Sequence, residues 1–388
     1  MKSRRIVVVG TLASDPYAGM AWMHMQIVAG LHSLGHEVYY FETTSAWPYD
    51  PVQQTRVCES DYSVRYLAKV AESFGLADRW AYRRSYGDKA WFGLERTRAE
   101  ELLAHADVVL NVAGATRFAE EGLEVGRLVY FGTDPVIHEI AFANGVEDIR
   151  TLIEEHHEFV TYGENIGSPD CPLPSFSPLR ARTRQPVLLD VWKDGGPRRS
   201  EFTTVCNWRQ DGRDVVFRGE TYFWSKHHEF LKFIDLPKRL RQRLELAMGL
   251  TNIDPAVRRM LRSHGWRLID AHPFTMDPWP YRDYVLASRG EFTVAKDQNV
   301  RLRSGWFSER SACYLAAGRP VITQDTGFDK FIPTGEGLFA FNTMDDILTA
   351  FEAISSDYAR HSRAARALAE EYFGAETVLT KLLNDLGL

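Results

Sequence analysis

Two short polar segments in the C-terminal half of the chain are suited to binding an anion. Ser308-Glu309-Arg310 begins a helix-like stretch, and Asp325-Thr326-Gly327 directly follows the apolar run 320–324. Serine is favoured at helix starts, where unpaired N–H groups attract negative charge, and arginine pairs with phosphate through two hydrogen bonds. A helix antiparallel to the strand after it starts at the edge where the loop following that strand lies. We therefore expect both segments to hold one diphosphate, with a purely structural cap as the alternative for Ser308.

Arg310 is expected to bind the ligand and to add little to stability, because arginine at a helix start is an unfavourable partner for the helix dipole. Asp134, in the run FGTDP, stands where a strand ends, and Lys296 ends the run FTVAK. Both positions are at carboxyl ends of strands, where parallel sheets bind ligands. Lys296 is a candidate donor-binding residue, and Asp134 is a candidate general base for an acceptor hydroxyl or a hydrogen-bond acceptor that holds a sugar. An Asx-turn cap before a helix over 136–143 is its alternative, structural role.

The other chemical residues carry no recognisable site. The histidines, including His156-His157 and His227-His228, lack metal-ligand spacing, so no metal is expected. The cysteines lack C-x-x-C spacing and are expected to be free thiols; they are Cys58, Cys171, Cys206 and Cys313. Neither G-x-G-x-x-G nor G-K-[ST] occurs, which argues against a dinucleotide fingerprint and a P-loop.

Length and charge narrow the class of protein. A chain of 388 residues exceeds one ordinary core and predicts two domains. The net charge of −6 and the absence of a long basic run argue against nucleic acid or an anionic membrane as the main partner. The apolar run near the N-terminus is too short for a signal peptide, and no transmembrane segment is expected. A cytoplasmic location is the interpretation.

The first half of the chain has the pattern of a doubly wound α/β domain. The apolar run 5–10 predicts a buried strand, and apolar residues at intervals of three and four from Met20 to Leu34 predict a helix that Gly35 ends. A strand over 36–42 then completes a β-α-β unit with parallel strands. Further strands are predicted at 106–114, 127–135 and 158–163.

The pattern restarts after a segment rich in proline and glycine, 164–200, which is predicted to contain no regular element. Strands are predicted in the second half at 202–208, 214–219, 267–271, 292–296, 320–324 and 338–341. The resulting domains are 1–180 and 201–388, joined by a linker at 181–200, and the last helix is a candidate for packing back on the first domain. Two α/β domains of this kind enclose a ligand cleft between them.

Three stretches resemble the GT-B glycosyltransferases, most closely the retaining type that uses nucleotide sugars. Ala18-Gly19 and the later Gly35-His36-Glu37-Val38 are similar to that family's glycine loop and "GHEV" strand. The run 315–322, LAAGRPVI, resembles its "A-x-G-x-P-V-I" segment, and Gly335-Glu336-Gly337 resembles the loop after it. The resemblance implies two Rossmann-like parallel-sheet domains facing a cleft, with the acceptor in the first and the nucleotide sugar in the second.

The resemblance also implies roles for individual residues. Gly19, Arg209 and Lys226 correspond to donor-site positions, the last two as cations that neutralise the phosphates; ordinary surface charge is the alternative. Asp15 is a second candidate base, because the loop after the first strand reaches the cleft in such transferases. That family's paired glutamates fall here on Gly305 and Cys313, neither of which can act as a carboxylate. Glu309, one helical turn before Cys313, is the possible substitute.

The interpretation is a glycosyltransferase that needs no metal or cofactor. It moves a sugar from a nucleoside diphosphate donor, UDP- or dTDP-linked, to a small-molecule or glycan acceptor. A sugar-nucleotide epimerase of similar build and a non-catalytic nucleotide-sugar binding protein are the alternatives. Acceptor, linkage and anomeric outcome are left open.

Overall fold

The computed structural model describes residues 2–193 and 195–388, and these residues form two parallel sheets. The first sheet has eight strands in the order β10-β9-β8-β7-β1-β2-β5-β6, parallel except for the antiparallel edge strand β6. Its strands are β1 (Arg5–Val9), β2 (Glu37–Glu42), β5 (Trp80–Arg83), β6 (Trp91–Gly93), β7 (Val108–Val112), β8 (Leu128–Gly132), β9 (Glu158–Thr161) and β10 (Leu179–Arg182). A small hairpin, β3 (Tyr49–Asp50) and β4 (Thr55–Arg56), follows β2.

The helices of this domain connect the strands as in a doubly wound fold. They are α1 (Ala18–Ser33), α2 (Asp61–Ser73), α3 (Arg96–His105), α4 (Phe118–Glu121), α5 (Ile137–Ala143) and α6 (Glu147–Glu154). The predicted β-α-β unit is confirmed: α1 ends before Gly35, which has φ +87°, and β2 pairs in parallel with β1. A left-handed conformation directly after a helix is what glycine permits at no steric cost.

The second sheet has six parallel strands in the order β15-β14-β11-β16-β17-β18. These are β11 (Phe202–Val205), β14 (Leu244–Met248), β15 (Arg267–Asp270), β16 (Gly290–Thr293), β17 (Val321–Gln324) and β18 (Leu338–Phe341). The helices are α7 (His227–Lys232), α8 (Leu236–Arg239), α9 (Pro255–Ser263), α10 (His272–Thr275), α11 (Pro278–Ala287), α12 (Asp297–Arg301), α13 (Glu309–Ala316), α14 (Met344–Ser356), α15 (Tyr358–Leu368) and α16 (Ala375–Asp385).

Two sequence-based strand assignments in this half need correction. The run 214–219 contributes β12 (Val215–Phe217), which pairs with β13 (Glu220–Tyr222) in a separate antiparallel hairpin and does not join the sheet. Strand β14, next to the central β11, was not predicted. Its Glu245 breaks the apolar run, yet the structure buries this carboxylate because Arg199, Arg267 and Tyr284 bind it.

The connecting segment is more ordered than its composition predicts. It includes β10, which pairs with β9, and a 3-10 turn at Leu189–Trp192. The indole of Trp192 is fully buried and donates to Gln26 Oε1 at 3.1 Å. After this crossing, α16 packs its buried leucines, such as Leu379 and Leu383, in the same core as Ile27 of α1. The C-terminal helix therefore lies against the first domain.

Candidate functional site

A cleft of about 220 Å³ lies at the carboxyl ends of β16 and β17. Its lining includes Lys226, Thr293, Trp306, Ser308, Gln324 and Thr326. In each sheet the strand order reverses beside one central strand, β1 in the first and β11 in the second. The carboxyl ends next to such a reversal form the crevice in which open α/β sheets bind ligands. The cleft is thus the geometric candidate for the site.

The segment just before the helix start contacts the loop that the sequence singled out. The Thr326 hydroxyl donates to the Trp306 carbonyl at 2.6 Å, and the Gly305 N–H donates to the Thr326 carbonyl at 2.8 Å. Ser308 precedes the first residue of α13, but its side chain makes no capping hydrogen bond. The structural cap expected as the alternative role of Ser308 is therefore not formed, and the first-turn N–H groups of α13 lack a side-chain cap.

Asp325 shapes this loop from within. One carboxylate oxygen accepts the Gly327 N–H at 2.8 Å, and the other accepts from Arg303 Nη1 at 3.1 Å. Asp325 is buried, and Gly327 has φ +90°, a conformation that glycine adopts readily. Asp325 and Gly327 thus set the path of the loop, and Thr326 lines the cleft.

The Arg310 side chain binds other groups within the protein. Its guanidinium forms an ion pair with the fully buried Glu291 and donates to the Val205 carbonyl at 2.8 Å and to the Thr293 hydroxyl at 2.9 Å. The neighbouring Glu291 carboxylate raises the pKa of Arg310, although burial acts in the opposite direction. Removing one partner of a buried ion pair leaves an uncompensated charge. The expectation that Arg310 adds little to stability is therefore wrong.

Lys226 is a cation without an internal partner. It directly precedes α7, is half-buried, and its ammonium has no hydrogen bond or ion pair within residues 2–193 and 195–388. Burial, assisted by the nearby Arg310 charge, lowers the pKa of Lys226 to about 7. Both effects disfavour the charged form and would be offset by a bound anion. Lys226 is the lysine best placed in the cleft to receive one.

Asp134 and Lys296 meet across the two domains. Lys296 Nζ lies 2.6 Å from Asp134 Oδ2 and 3.0 Å from the centroid of the Trp224 ring. Burial lowers the pKa of Lys296, while the Asp134 carboxylate opposes that shift. Asp134 Oδ1 is buried and has no hydrogen-bond partner in the described part of the chain, so Asp134 does not cap α5. Two residues predicted to serve the acceptor and the donor separately thus form one ion pair.

The remaining predicted site residues lie in different surroundings. Arg209 is exposed and pairs with Asp211 at 2.9 Å. Asp15, in the loop after β1, pairs with Arg56 at 2.9 Å. Gly19 lies in the first turn of α1 with open space where a side chain would point. The structure brings none of these three into the lining of the cleft.

Glu309, the first residue of α13, connects the second domain to α1 of the first. Its carboxylate accepts from Gln26 Nε2 at 2.8 Å and from Cys313 Sγ at 3.1 Å, which confirms that Glu309 and Cys313 share one helix face. Burial raises the pKa of Glu309 to about 7. Both contacts are internal, so Glu309 is held against α1.

Two tryptophans near the site were not predicted. Trp224 lies under the Lys296 ammonium, and Trp306 Nε1 donates across the domains to the Thr133 carbonyl at 3.1 Å. Each stands two residues before a residue that the sequence did single out, Lys226 or Ser308. The ring of Trp224 binds Lys296, which is distant in the chain, so its sequence neighbour Lys226 gives no signal for this contact.

The cleft thus lies at the edge of the second Rossmann-like sheet, the Asp134–Lys296 ion pair joins the first sheet's domain to it, and the C-terminal helix returns to the first domain. The chain has a GT-B fold. No protein-family model and no curated protein sequence matches it.

Solved structures with the same GT-B arrangement cover nearly the whole chain. HepE of Anabaena, in complex with UDP-glucose, matches with a TM-score of 0.60 at 9% identity over 99% of both chains. Sucrose-phosphate synthase of Thermosynechococcus elongatus matches with a TM-score of 0.55 at 11% identity over 98% of both chains. A glycosyltransferase of Rickettsia africae matches with a TM-score of 0.55 at 10% identity over 99% of this chain and 98% of that one.

The described residues match neither of two patterns, a metal-binding cluster and a membrane-spanning helix. Among the residues described, His, Cys, Asp and Glu side chains nowhere gather in a group of three or more that could bind a metal ion. In the same part of the chain, the helices are too short or too polar to cross a lipid bilayer.

Proposed function

We propose that this GT-B chain is a glycosyltransferase that moves a sugar from a nucleoside diphosphate, UDP- or dTDP-linked, to an acceptor hydroxyl. The observation that carries the proposal is the Lys226 ammonium, which lies in the cleft beside the start of α13 and has no hydrogen bond or ion pair among the residues that the structure describes. An unpaired cation and free helix N–H groups together attract a phosphate group. The complex of HepE with UDP-glucose supports a donor of this kind.

The donor diphosphate would lie between Lys226 and the first turn of α13. As the sugar–oxygen bond breaks, negative charge grows on the leaving diphosphate, and fixed donors that face it stabilise the transition state. Removing one such donor from a comparable site costs about 2.7–4 kcal/mol. Because Lys226 and the helix dipole supply positive charge, we propose that no divalent cation is required. Chelation by EDTA should then leave turnover unchanged, and a loss that magnesium or manganese restores would contradict this.

The acceptor would approach from the side of Asp134. We propose that Asp134, whose side chain is 33% exposed, takes the proton of an acceptor hydroxyl, and that Lys296 holds its Oδ2 at 2.6 Å. The acceptor oxygen forms a bond to the anomeric carbon of the sugar, and the bond from that carbon to the diphosphate oxygen breaks. The diphosphate leaves with the electron pair, and Asp134 receives the proton.

A thermal-shift screen tests the donor. The probes are UDP, dTDP, ADP and GDP with their glucose conjugates, and one of them at 100 times its dissociation constant should stabilise the fold by about 2.7 kcal/mol. Lys226→Gln should abolish most of this shift, while Arg209→Gln, at an exposed arginine outside the cleft lining, should retain it. No shift with any probe, or equal shifts in both variants, would contradict the assignment.

Product analysis by mass spectrometry then separates the possible activities. Incubation of the donor with candidate acceptors yields a glycosylated acceptor from a transferase, an isomerised sugar nucleotide from an epimerase, and unchanged donor from a binding protein. Asp134→Asn should lower turnover about 10²-fold if Asp134 is the base. The substitution also weakens the ion pair with Lys296, so turnover is compared at a temperature at which both proteins are folded. Unchanged turnover would move the role of base to Asp15 or to substrate-assisted chemistry.

A further inference from the structure

Val136, two residues after Asp134, has an unusual backbone conformation. Its φ of +112° and ψ of −55° lie in a region that β-branched residues almost never adopt. Other non-glycine residues with positive φ in the described chain have values between +46° and +54°, close to the ordinary left-handed region. Such strain persists only where the surroundings enforce it, and it occurs often at functional sites.

Two sets of contacts hold Val136 in place. The buried Glu139 accepts the Val136 N–H at 2.8 Å through Oε2, which fixes the start of α5. The Val136 side chain is fully buried in a cluster with Ile140 and with Phe217 of the second domain. Phe217 belongs to β12, whose hairpin extends onto α5, where Asn144 Nδ2 donates to the Val216 carbonyl at 2.9 Å.

The strained residue therefore ends a loop that both domains hold. At its beginning, the Thr133 carbonyl accepts from Trp306, and in its middle Asp134 pairs with Lys296. Trp306, Lys296 and Phe217 all belong to the second domain. The conformation of the loop thus depends on how the second domain sits against it, and Val136 is the residue at which the loop departs from relaxed geometry.

We propose that Val136, held by Glu139 and by the β12–β13 hairpin, is a positioning residue that directs the Asp134 carboxylate toward the acceptor. This inference rests on the proposed function. If the loop left this path, the 133–136 backbone would have more than one conformation, and Asp134 would spend less time where it can take the proton. A displacement of about 1 Å at a reacting group can cost about 10²-fold in rate.

The pair Val136→Ala and Val136→Gly tests the strain. Both remove the same buried methyl groups, and Gly differs from Ala only by the Cβ that conflicts with positive φ. Glycine at an ordinary position is less stable than alanine. Here the melting temperature of Val136→Gly should exceed that of Val136→Ala, and the opposite order would overturn the inference.

Turnover tests the positioning role. With UDP-glucose, or dTDP-glucose if wild type does not use UDP-glucose, the kcat of Val136→Ala, which keeps a Cβ that opposes the native path, should be about tenfold below that of Val136→Gly, with the donor KM unchanged. Lys89→Gly is the matched control, because Lys89 also has positive φ, at +54°, but lies in an exposed turn outside the cleft lining. It should relax the backbone and leave kcat at the wild-type value. Equal kcat values for the two Val136 variants would overturn the role.

Glu139 provides a second measurement. Glu139→Gln keeps an oxygen that accepts the Val136 N–H, so its kcat should be close to wild type. Glu139→Ala loses that oxygen, and its kcat should fall about tenfold with the donor KM unchanged. Equal kcat in both would overturn the role of Glu139. If wild type turns over neither donor, the proposed function fails and the positioning role with it, whereas active Val136 variants with equal kcat refute the positioning role alone.

Discussion

The two domains differ in whether a side chain accepts hydrogen bonds from the backbone N–H groups at the carboxyl edge of the sheet. In the loop after β1, the buried Glu42 accepts the Ala13 N–H at 2.8 Å and the Ser14 N–H at 2.6 Å, along with the Ser14 and Tyr40 hydroxyls. At the start of α13 in the second domain, the Ser308 side chain makes no capping hydrogen bond to any of the described residues. A carboxylate of the protein thus occupies in the first domain the place that we assign to a ligand anion in the second.

The comparison shows why similar sheet edges can have different functions. Burial raises the pKa of Glu42 to about 7, even though its hydrogen bonds favour the ionised form. A loop that already binds an internal carboxylate has few N–H groups left for a phosphate. In the second domain, Lys226 and the start of α13 have no side-chain partner among the described residues, so this is the edge that we propose binds an external anion.

The largest expected effect comes from Arg310, whose guanidinium is bound to Glu291 inside the second domain. Arg310→Ala should lower the free energy of unfolding by about 3–5 kcal/mol, because the buried Glu291 loses its cation. Urea denaturation measures the loss. The double variant Arg310→Met with Glu291→Gln should recover much of it, since no unpaired charge remains. A stable Arg310→Ala protein that no longer binds nucleotide would instead make Arg310 a ligand residue.

Glu42→Ala should have the next largest effect. It leaves the Ala13 and Ser14 N–H groups without their acceptor, which should lower the free energy of unfolding by about 3 kcal/mol. Glu59→Ala, at an exposed glutamate in the same domain, is the control and should change stability by less than about 0.5 kcal/mol. Equal stabilities for the two variants would show that Glu42 does not hold the loop.

Ser308→Asp would build into the second domain the arrangement found in the first. A carboxylate at this position can cap α13, so the ligand-free protein should gain about 0.5–1 kcal/mol. The same charge should repel a diphosphate and weaken nucleotide binding by about tenfold, or 1.4 kcal/mol. Ser308→Asn caps without the charge and should keep the affinity. If Ser308→Asp binds nucleotide as tightly as wild type, the diphosphate lies elsewhere.

The smallest effect is a pH dependence that belongs to Lys226. The pKa of Lys226 is about 7 in the folded protein, below that of an unfolded lysine. The anion binds the protonated form, and the fraction of Lys226 that is protonated falls as pH rises through 7. Nucleotide affinity should fall about fivefold between pH 7 and pH 8, measured by calorimetry, and less in Lys226→Arg, because arginine stays charged. Without ligand the sign is reversed. The unfolded chain binds more protons between pH 7 and 10, so this group makes the fold more stable as pH rises.

Much of the fold follows from local patterns in the sequence. The spacing of apolar residues predicted α1 and most strands of both sheets, and it also indicated that the start of α13 and the loop at 325–327 share a sheet edge. These features depend on neighbouring residues and on the handedness of β-α-β units, which one sequence expresses directly. Strand β14 was missed because a buried Glu245 looks like a surface residue until its partners are known.

The partners of the site residues depend on the tertiary structure. Asp134 and Lys296 are 162 residues apart in the chain and meet only because the two sheets face each other. Arg310 appeared available for phosphate until Glu291, from the neighbouring strand β16, was found beside it. A side chain's type shows what it can bind, but burial and long-range packing decide which partner it has. The sequence by itself therefore determined the two α/β folds and the sheet edge of the candidate site, and the tertiary structure decided that Lys226 has no partner there among the described residues.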